Sequence, residues 1–285
     1  MTAAQLPFFS AALLFVALGP LGACAEEAPF GTAPRTLQIH NRAAGGNARS
    51  IHTVSVKREN LRGGVTRLLI PQEIEGKLTE REVLIHAPRS VDPSARYPVV
   101  FALHGNGGQN RAFLRQLRPF VDRGDFVGIY PQGHWRSWNL GEEASTADDV
   151  AFINAIMEKL AEIRQLDTGT AFAIGFSNGA GMAHRLAIET DHFLAIAAIV
   201  SHMTVEILPK EETNATSVLQ ISGDRDRIIP YKGGDSPTGH LFLPAEFSSR
   251  IWARHNSIQG RPEVSDTPDG NEKIVYGNGP GDPVV

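Results

Sequence analysis

The sequence predicts an α/β fold built on a mostly parallel sheet with helices on both faces, and three observations carry the prediction. From about residue 80, apolar runs of strand length alternate with segments of helical periodicity. The strand-length runs are continuous rather than alternating, as strands covered on both faces must be. At 285 residues, 42% apolar and 20% charged, the chain can bury one large core and lacks the composition of a multispanning membrane protein.

Taken in order, "REVLIHA" (81–87) and "PVVFALHG" (98–105) read as strands, "RAFLRQLRPFVDR" (111–123) as a helix and "DFVGIYP" (125–131) as a strand. "TADDVAFINAIMEKLAEI" (146–163) carries apolar residues at 150, 153, 157, 160 and 163, which is helical spacing. Thr146 is its expected N-cap, with the acids Asp148 and Asp149 in the first turn. Downstream, "TAFAIGF" (170–176), "LAIAAIVS" (194–201) and "TSVLQISG" (216–223) read as strands, and "NGAGMAHRLAIE" (178–189) and "AEFSSRIWARHN" (245–256) as helices. The last stretch, "DTPDGNEKIVYGNGPGDPVV", is rich in turn formers.

The N-terminus has a different character. "FFSAALLFVALGPLGACA" is an apolar run too short and too interrupted by Gly and Pro to span a membrane, and it ends in small residues before Glu26 and Glu27. Residues 1–25 therefore read as a signal peptide, with Ala23-Cys24-Ala25 as a cleavage site, or with Leu21-Gly22-Ala23-Cys24 as a lipobox that lipidates Cys24. The expected location is secreted or periplasmic. Residues 26–66 read as a polar extension in which only "IHTVSV" alternates like a strand, and 67–285 as the folded domain. Cys24 is the one cysteine, so the mature domain has no internal disulfide and no zinc site of the cysteine type. A net charge of −4 without a Lys/Arg block gives no electrostatic reason to expect nucleic acid or an anionic membrane as partner, and composition is silent on oligomeric state.

Three segments carry chemistry. Gly175-Phe176-Ser177-Asn178-Gly179 places a serine at a strand-to-helix junction, where strained backbone projects the hydroxyl and flanking glycines let neighbouring chain pass close. "LHGNGG" (103–108) follows an earlier strand and offers the second N–H donor that a tetrahedral oxyanion needs, Asn106, to go with Asn178. His104 in that segment is expected to tie down the loop rather than act as a base. "ISGDRDRIIPY" (221–231) ends a strand in a turn with two acids, of which Asp226 fits the orienting carboxylate and Asp224 is the alternative.

These segments, with "SWN" (137–139), "DDVAFI" (148–153) and "IPYKGG" (229–234), resemble the secreted esterase family of polyhydroxybutyrate depolymerases and feruloyl esterases over roughly residues 80 to 260. The resemblance implies an α/β-hydrolase fold, a Ser-Asp-His triad, no cofactor and a small-molecule or polymeric carboxylic ester as substrate. Carried over by position, Ser177 is the nucleophile, Asp226 the acid, and Asn106 and Asn178 the oxyanion donors. Asp148 and Asp149 also match the family pattern and read as helix-capping acids.

A triad needs a histidine after Asp226, and the sequence supplies only His240 and His255 there. His255 is expected on the surface of its helix, and His240 precedes the strand that normally leads to the base. In the resembled family the histidine follows a strand that would begin about where this sequence ends. The expectation is a domain truncated before its catalytic histidine, one that recruits His202 or His240, or an inactive relative that binds polysaccharide or polyester without cleaving it. Among Trp135, Trp138 and Tyr231, which are candidates to line an aromatic-friendly cleft, Trp138 and Tyr231 are the expected substrate contacts. The expected activity is a secreted serine esterase on feruloyl or acetyl polysaccharide esters or on polyhydroxyalkanoate-type polyesters. Amide cleavage by the same machinery is the further alternative.

Overall fold

A computed structural model describes residues 59–279 and 282–285. The expected signal peptide, the strand "IHTVSV" and the 26–66 extension up to residue 58 lie outside the described residues. The strands of the main sheet are β1 (Gly64–Ile74), β2 (Lys77–Ala87), β3 (Tyr97–Leu103), β4 (Val127–Pro131), β5 (Leu166–Phe176), β6 (Phe193–Ile199) and β7 (Ser217–Ile221). Between and after them run α1 (Leu114–Arg123), α2 (Asp149–Ala161), α3 (Asn178–Glu189) and α4 (Ala245–His255). The remaining strands form two small hairpins, β8 (Gly234–Asp235) with β9 (Leu241–Phe242) and β10 (Glu263–Asp266) with β11 (Glu272–Val275).

The sheet order is β1-β2-β4-β3-β5-β6-β7, with β2 antiparallel to both β1 and β4 and every pair from β4 to β7 parallel. This is the α/β-hydrolase architecture that the sequence predicts. Along β3, Val99, Phe101 and Leu103 enter one core with Phe152 and Ile156 of α2 and Met182 and Leu186 of α3. Val100 and Ala102 enter a second core with Leu117 and Val121 of α1. Because successive side chains point to opposite faces, two cores demand an unbroken apolar run, which is why these strands do not alternate. Under α4 the core includes polar atoms as well: Trp252 Nε1–H donates to Nδ1 of the buried His184 at 3.1 Å.

Several expectations are corrected. The folded domain begins before residue 67, since β1 starts at Gly64 and Glu59 pairs with Glu162 and Arg164. β1 escapes a reading by apolar pattern because it is an edge strand with exposed positions and Pro71, which an edge tolerates. It pairs with β2 along its whole length through a tight turn at Glu75 and Gly76, both with positive φ. The N-cap of α2 is Asp148, whose carboxylate accepts Ala151 N–H at 2.9 Å, while Thr146 donates instead to Glu75. Asp149 is no cap: it is fully buried and pairs with Arg81 of β2 at 2.6 Å. The turn-rich C-terminal stretch holds the β10–β11 hairpin, and Val284 carbonyl accepts from Val218 N–H on the outer edge of β7.

The Arg81 guanidinium also donates to Gln72 Oε1 and the Gln132 carbonyl and lies 3.6 Å over the Phe152 ring. Removing one partner of such a pair leaves an uncompensated buried charge. Arg81→Met is therefore expected to lower unfolding free energy in urea by about 3–5 kcal/mol. Arg96→Met, which removes a pair of 4.0 Å at the surface, is expected to change it by less than about 1 kcal/mol.

Candidate active site

Ser177 sits between β5 and α3 with φ 55° and ψ −121°, a conformation that costs a non-glycine residue on the order of 1–3 kcal/mol. Its N–H donates to Ile199 carbonyl at 2.8 Å, and its carbonyl accepts from Ala180 at 2.8 Å and Gly181 at 3.1 Å. The surrounding chain fixes this bend by close approach. A methyl on Gly175 would run into the Gly179 carbonyl, and one on Gly179 would stand 2.5 Å from the His104 carbonyl oxygen and press on that of Leu103. Only glycine fits at either place.

The β3 loop reaches the same spot. A methyl on Gly105 would lie 3.2 Å from the Phe176 carbonyl oxygen and 3.5 Å from Ser177 Cβ, so this backbone passes directly beside the nucleophile position. Asn106 follows in an exposed turn closed by Gly108 N–H to Gly105 carbonyl at 2.9 Å and by Gly107 N–H to Arg136 carbonyl at 2.8 Å. Among the described residues, the backbone N–H groups of Asn106 and Asn178 have no acceptor. Asn178 opens α3, so its N–H also carries the partial positive charge of a helix N-terminus.

His104 is buried, and its hydrogen bonds define its tautomer. Nε2 accepts Gly133 N–H at 3.0 Å, which leaves Nδ1–H to donate to Gly105 carbonyl at 2.8 Å. With both nitrogens occupied, the ring ties the loop to the segment after β4, and burial holds its pKa below the ordinary histidine value.

The Asn178 side chain is clamped to the segment after β4. Its Oδ1 accepts Trp138 N–H at 2.7 Å, and its Nδ2 donates to Trp138 carbonyl at 2.9 Å and to Glu143 Oε1 at 2.8 Å. Trp138 is therefore corrected as a substrate contact: it is fully buried in the core, with Nε1–H donating to His104 carbonyl at 2.8 Å. The exposed aromatic in this segment is Trp135, at 61% exposure, stacked on His134 at 4.9 Å and held with Arg136 in left-handed backbone. Tyr231 is half-buried, and its hydroxyl donates to Glu246 Oε1 at 3.3 Å.

Asp226 accepts Ile228 and Ile229 N–H groups at 2.7 and 2.9 Å, both on Oδ1, which leaves Oδ2 uncommitted among the described residues. Asp224 is exposed. His202 is buried beneath this turn, with Nδ1 3.4 Å from Ser222 Oγ and Nε2 without a partner among the described residues. Burial lowers its pKa against the opposing pull of the Pro230 carbonyl and the Asp226 charge. His255 is half-buried, its Nε2 2.9 Å from Thr213 carbonyl. The structure thus brings Ser177, Asn178 and the Asn106 loop together. Among the described residues it sets no histidine in hydrogen-bond contact with Ser177.

No family model matches the chain. Among curated relatives, the probable feruloyl esterase C of Aspergillus clavatus is 29% identical over 164 residues, 55% of this chain and 58% of that protein. Feruloyl esterase C of Emericella nidulans is 28% identical over 166 residues, 55% of this chain and 59% of that protein. The probable feruloyl esterase C of Aspergillus niger is 28% identical over 211 residues, 70% of this chain and 73% of that protein. The chain is thus similar in sequence to feruloyl esterases. It spans less than two thirds of the length of the first two of these relatives. The solved poly(3-hydroxybutyrate) depolymerase of Bordetella parapertussis superposes on 68% of this chain and 78% of its own, with a TM-score of 0.49 and 17% identity.

Reading by motif passed over Glu143, which receives Leu140 N–H on one oxygen and both Asn178 and His240 on the other. Its signal is faint, an acid in a Gly/Glu/Ser loop six residues before the helix that starts at Asp149. Nitrogen NMR of the His104 ring is expected to show one protonated and one bare nitrogen at pH 6. A doubly protonated ring at that pH would contradict the assigned tautomer.

Proposed function

We propose that the chain is an exported serine hydrolase of carboxylic esters, acting on feruloyl or acetyl esters of polysaccharide or on polyhydroxyalkanoate-type polyesters. The observation that carries this reading is the strained positive-φ backbone at Ser177, φ 55° and ψ −121°, with the acceptor-free N–H of Asn178 next to it and that of Asn106 in the loop that passes Ser177 Cβ. A preformed pair of donors is what a developing oxyanion needs, because it stabilises charge without reorganising at the moment of reaction.

In this reading Ser177 Oγ attacks the ester carbonyl carbon and gives its proton to a base, while the carbonyl oxygen becomes an oxyanion that accepts from Asn106 and Asn178. Collapse expels the alcohol, which takes up the proton, and leaves an acyl group on Ser177. Water then attacks the acyl carbon, releases the carboxylic acid and restores the hydroxyl. The free Oδ2 of Asp226 is the atom available to orient the base. Trp135 supports the aromatic and sugar-bearing substrates: it is exposed, and Arg136 next to it receives the Gly107 N–H of the oxyanion loop. A feruloyl ring or a pyranose face can stack on it.

The test is turnover of p-nitrophenyl acetate and labelling by a fluorophosphonate probe. Ser177→Ala is expected to lower turnover by 10³-fold or more and to abolish labelling. Equal rates in the two proteins would overturn the reading, and tight polymer binding without Ser177-dependent turnover would replace it with a binding role. Trp135→Ala is expected to raise KM for a feruloylated oligosaccharide by about 3- to 10-fold while leaving p-nitrophenyl acetate unaffected.

A further inference from the structure

We propose that Glu143 and His240 form an ion pair that positions Asn178 and keeps the electrostatic field at the oxyanion site neutral, so that loss of the His240 proton weakens catalysis. The inference rests on the ester-hydrolase reading and assigns a positioning role to Glu143 and to His240, which the sequence offered as a substitute base.

The geometry is a short chain of contacts ending at the residue after the nucleophile. His240 Nε2 lies 2.9 Å from Glu143 Oε1, and the same oxygen accepts Asn178 Nδ2–H at 2.8 Å. Glu143 Oε2 accepts Leu140 N–H at 2.6 Å, which fixes the carboxylate against its own loop. The histidine is 5% exposed and its edge meets the Phe242 ring at 6.0 Å, so the pair is held by packing and not by surface chance. His240 reaches the site from the β8–β9 hairpin, which closes through Ser236 N–H to His240 carbonyl at 2.9 Å.

The charges around the ring all favour the cation. Glu143 and Glu142 face it from the segment after β4, and Glu206 from the segment after β6. The hydrogen bond that His240 donates to Glu143 outweighs burial and raises the His240 pKa above the ordinary histidine value. Burial works against ionisation of Glu143, yet the bonds from His240 and Leu140 carry its carboxyl below the ordinary range. Arg185, on the helix that Asn178 opens, is committed to Glu189 and the Asn139 carbonyl.

The sign follows from these directions. The pair is fully ionised above the ordinary glutamate range and below the raised pKa of His240, and over that window its net charge is zero. As pH rises through the His240 pKa, the imidazolium becomes neutral and the Glu143 carboxylate is left uncompensated, one hydrogen bond from the residue whose N–H faces the oxyanion. A bare negative charge there opposes the one that forms in the transition state. Turnover is therefore expected to fall on the alkaline side with a midpoint at the His240 pKa.

The experiment combines NMR titration with steady-state kinetics on p-nitrophenyl acetate from pH 5 to 10. The His240 ring and the Asn178 backbone amide are expected to titrate with one midpoint, above the ordinary histidine value, and kcat to fall at that same pH. His240→Gln keeps a donor for Glu143 but cannot carry charge. It is expected to lower kcat about 10- to 100-fold below the midpoint, to leave KM within about threefold, and to remove the alkaline fall. His240→Gln activity within twofold of the parent at pH 6, or an Asn178 amide that does not respond at the His240 midpoint, overturns the inference. The amide response is read whether or not the protein turns over ester, so a failure of the hydrolase reading, signalled by Ser177→Ala matching the parent, stays distinct from a failure of this one.

Discussion

The close approach of three backbone segments around Gly175, Gly179 and Gly105 is the constraint on which the candidate site depends. A side chain at Gly175 or Gly179 would collide with a carbonyl group, and Gly105 leaves Ser177 Cβ little more than contact distance. Because no Cβ intervenes, the end of β3, the end of β5 and the first turn of α3 lie against one another and share one small volume. The unfavourable φ and ψ at Ser177 persist there because the neighbours over-determine them. The consequence is one of placement: the loop that carries Asn106 and the helix start at Asn178, from different parts of the chain, meet at Ser177.

A second tier of contacts holds the rim of that volume. The segment after β4 has little regular structure, yet it is fixed at both ends by buried groups. Asp149 takes Asn139 N–H at 2.7 Å while pairing with Arg81, and Asn178 grips Trp138 by two backbone groups. The Trp138 indole then spans to the His104 carbonyl. Strand β2, helix α2, helix α3 and the β3 loop are thereby joined through one irregular segment. Irregular chain carries backbone polar groups that need partners, and here side chains from the surrounding elements supply them.

Much of this was legible in the residues. Continuous apolar runs gave the parallel sheet because two cores flank it, and the G-x-S-x-G pattern gave the bend because its spacing encodes a steric requirement. Helix α3 runs over Asn178–Glu189 as its pattern predicts. What stayed hidden has a common cause. β1 is an edge strand whose stability comes from pairing with β2 and not from an apolar face of its own. Trp138, as a tryptophan beside a motif, reads equally well as a cleft wall or as packing, and only three-dimensional burial distinguishes them. The Arg81–Asp149 and Glu143–His240 pairs join residues 68 and 97 positions apart, and no local pattern announces such a partner.

The buried rings carry a consequence for acid tolerance. His184 accepts the Trp252 indole N–H and is driven by burial to a pKa of about 3, and burial also depresses His86, His104 and His202. None of these rings can take a proton in the native state as readily as it can in an open chain. Below the usual imidazole range, each such ring transfers about 1.4 kcal/mol per pH unit toward the denatured ensemble until its own depressed value is reached. Mild acid thus acts on this fold by rewarding the disordered form with protons, without severing a single native contact.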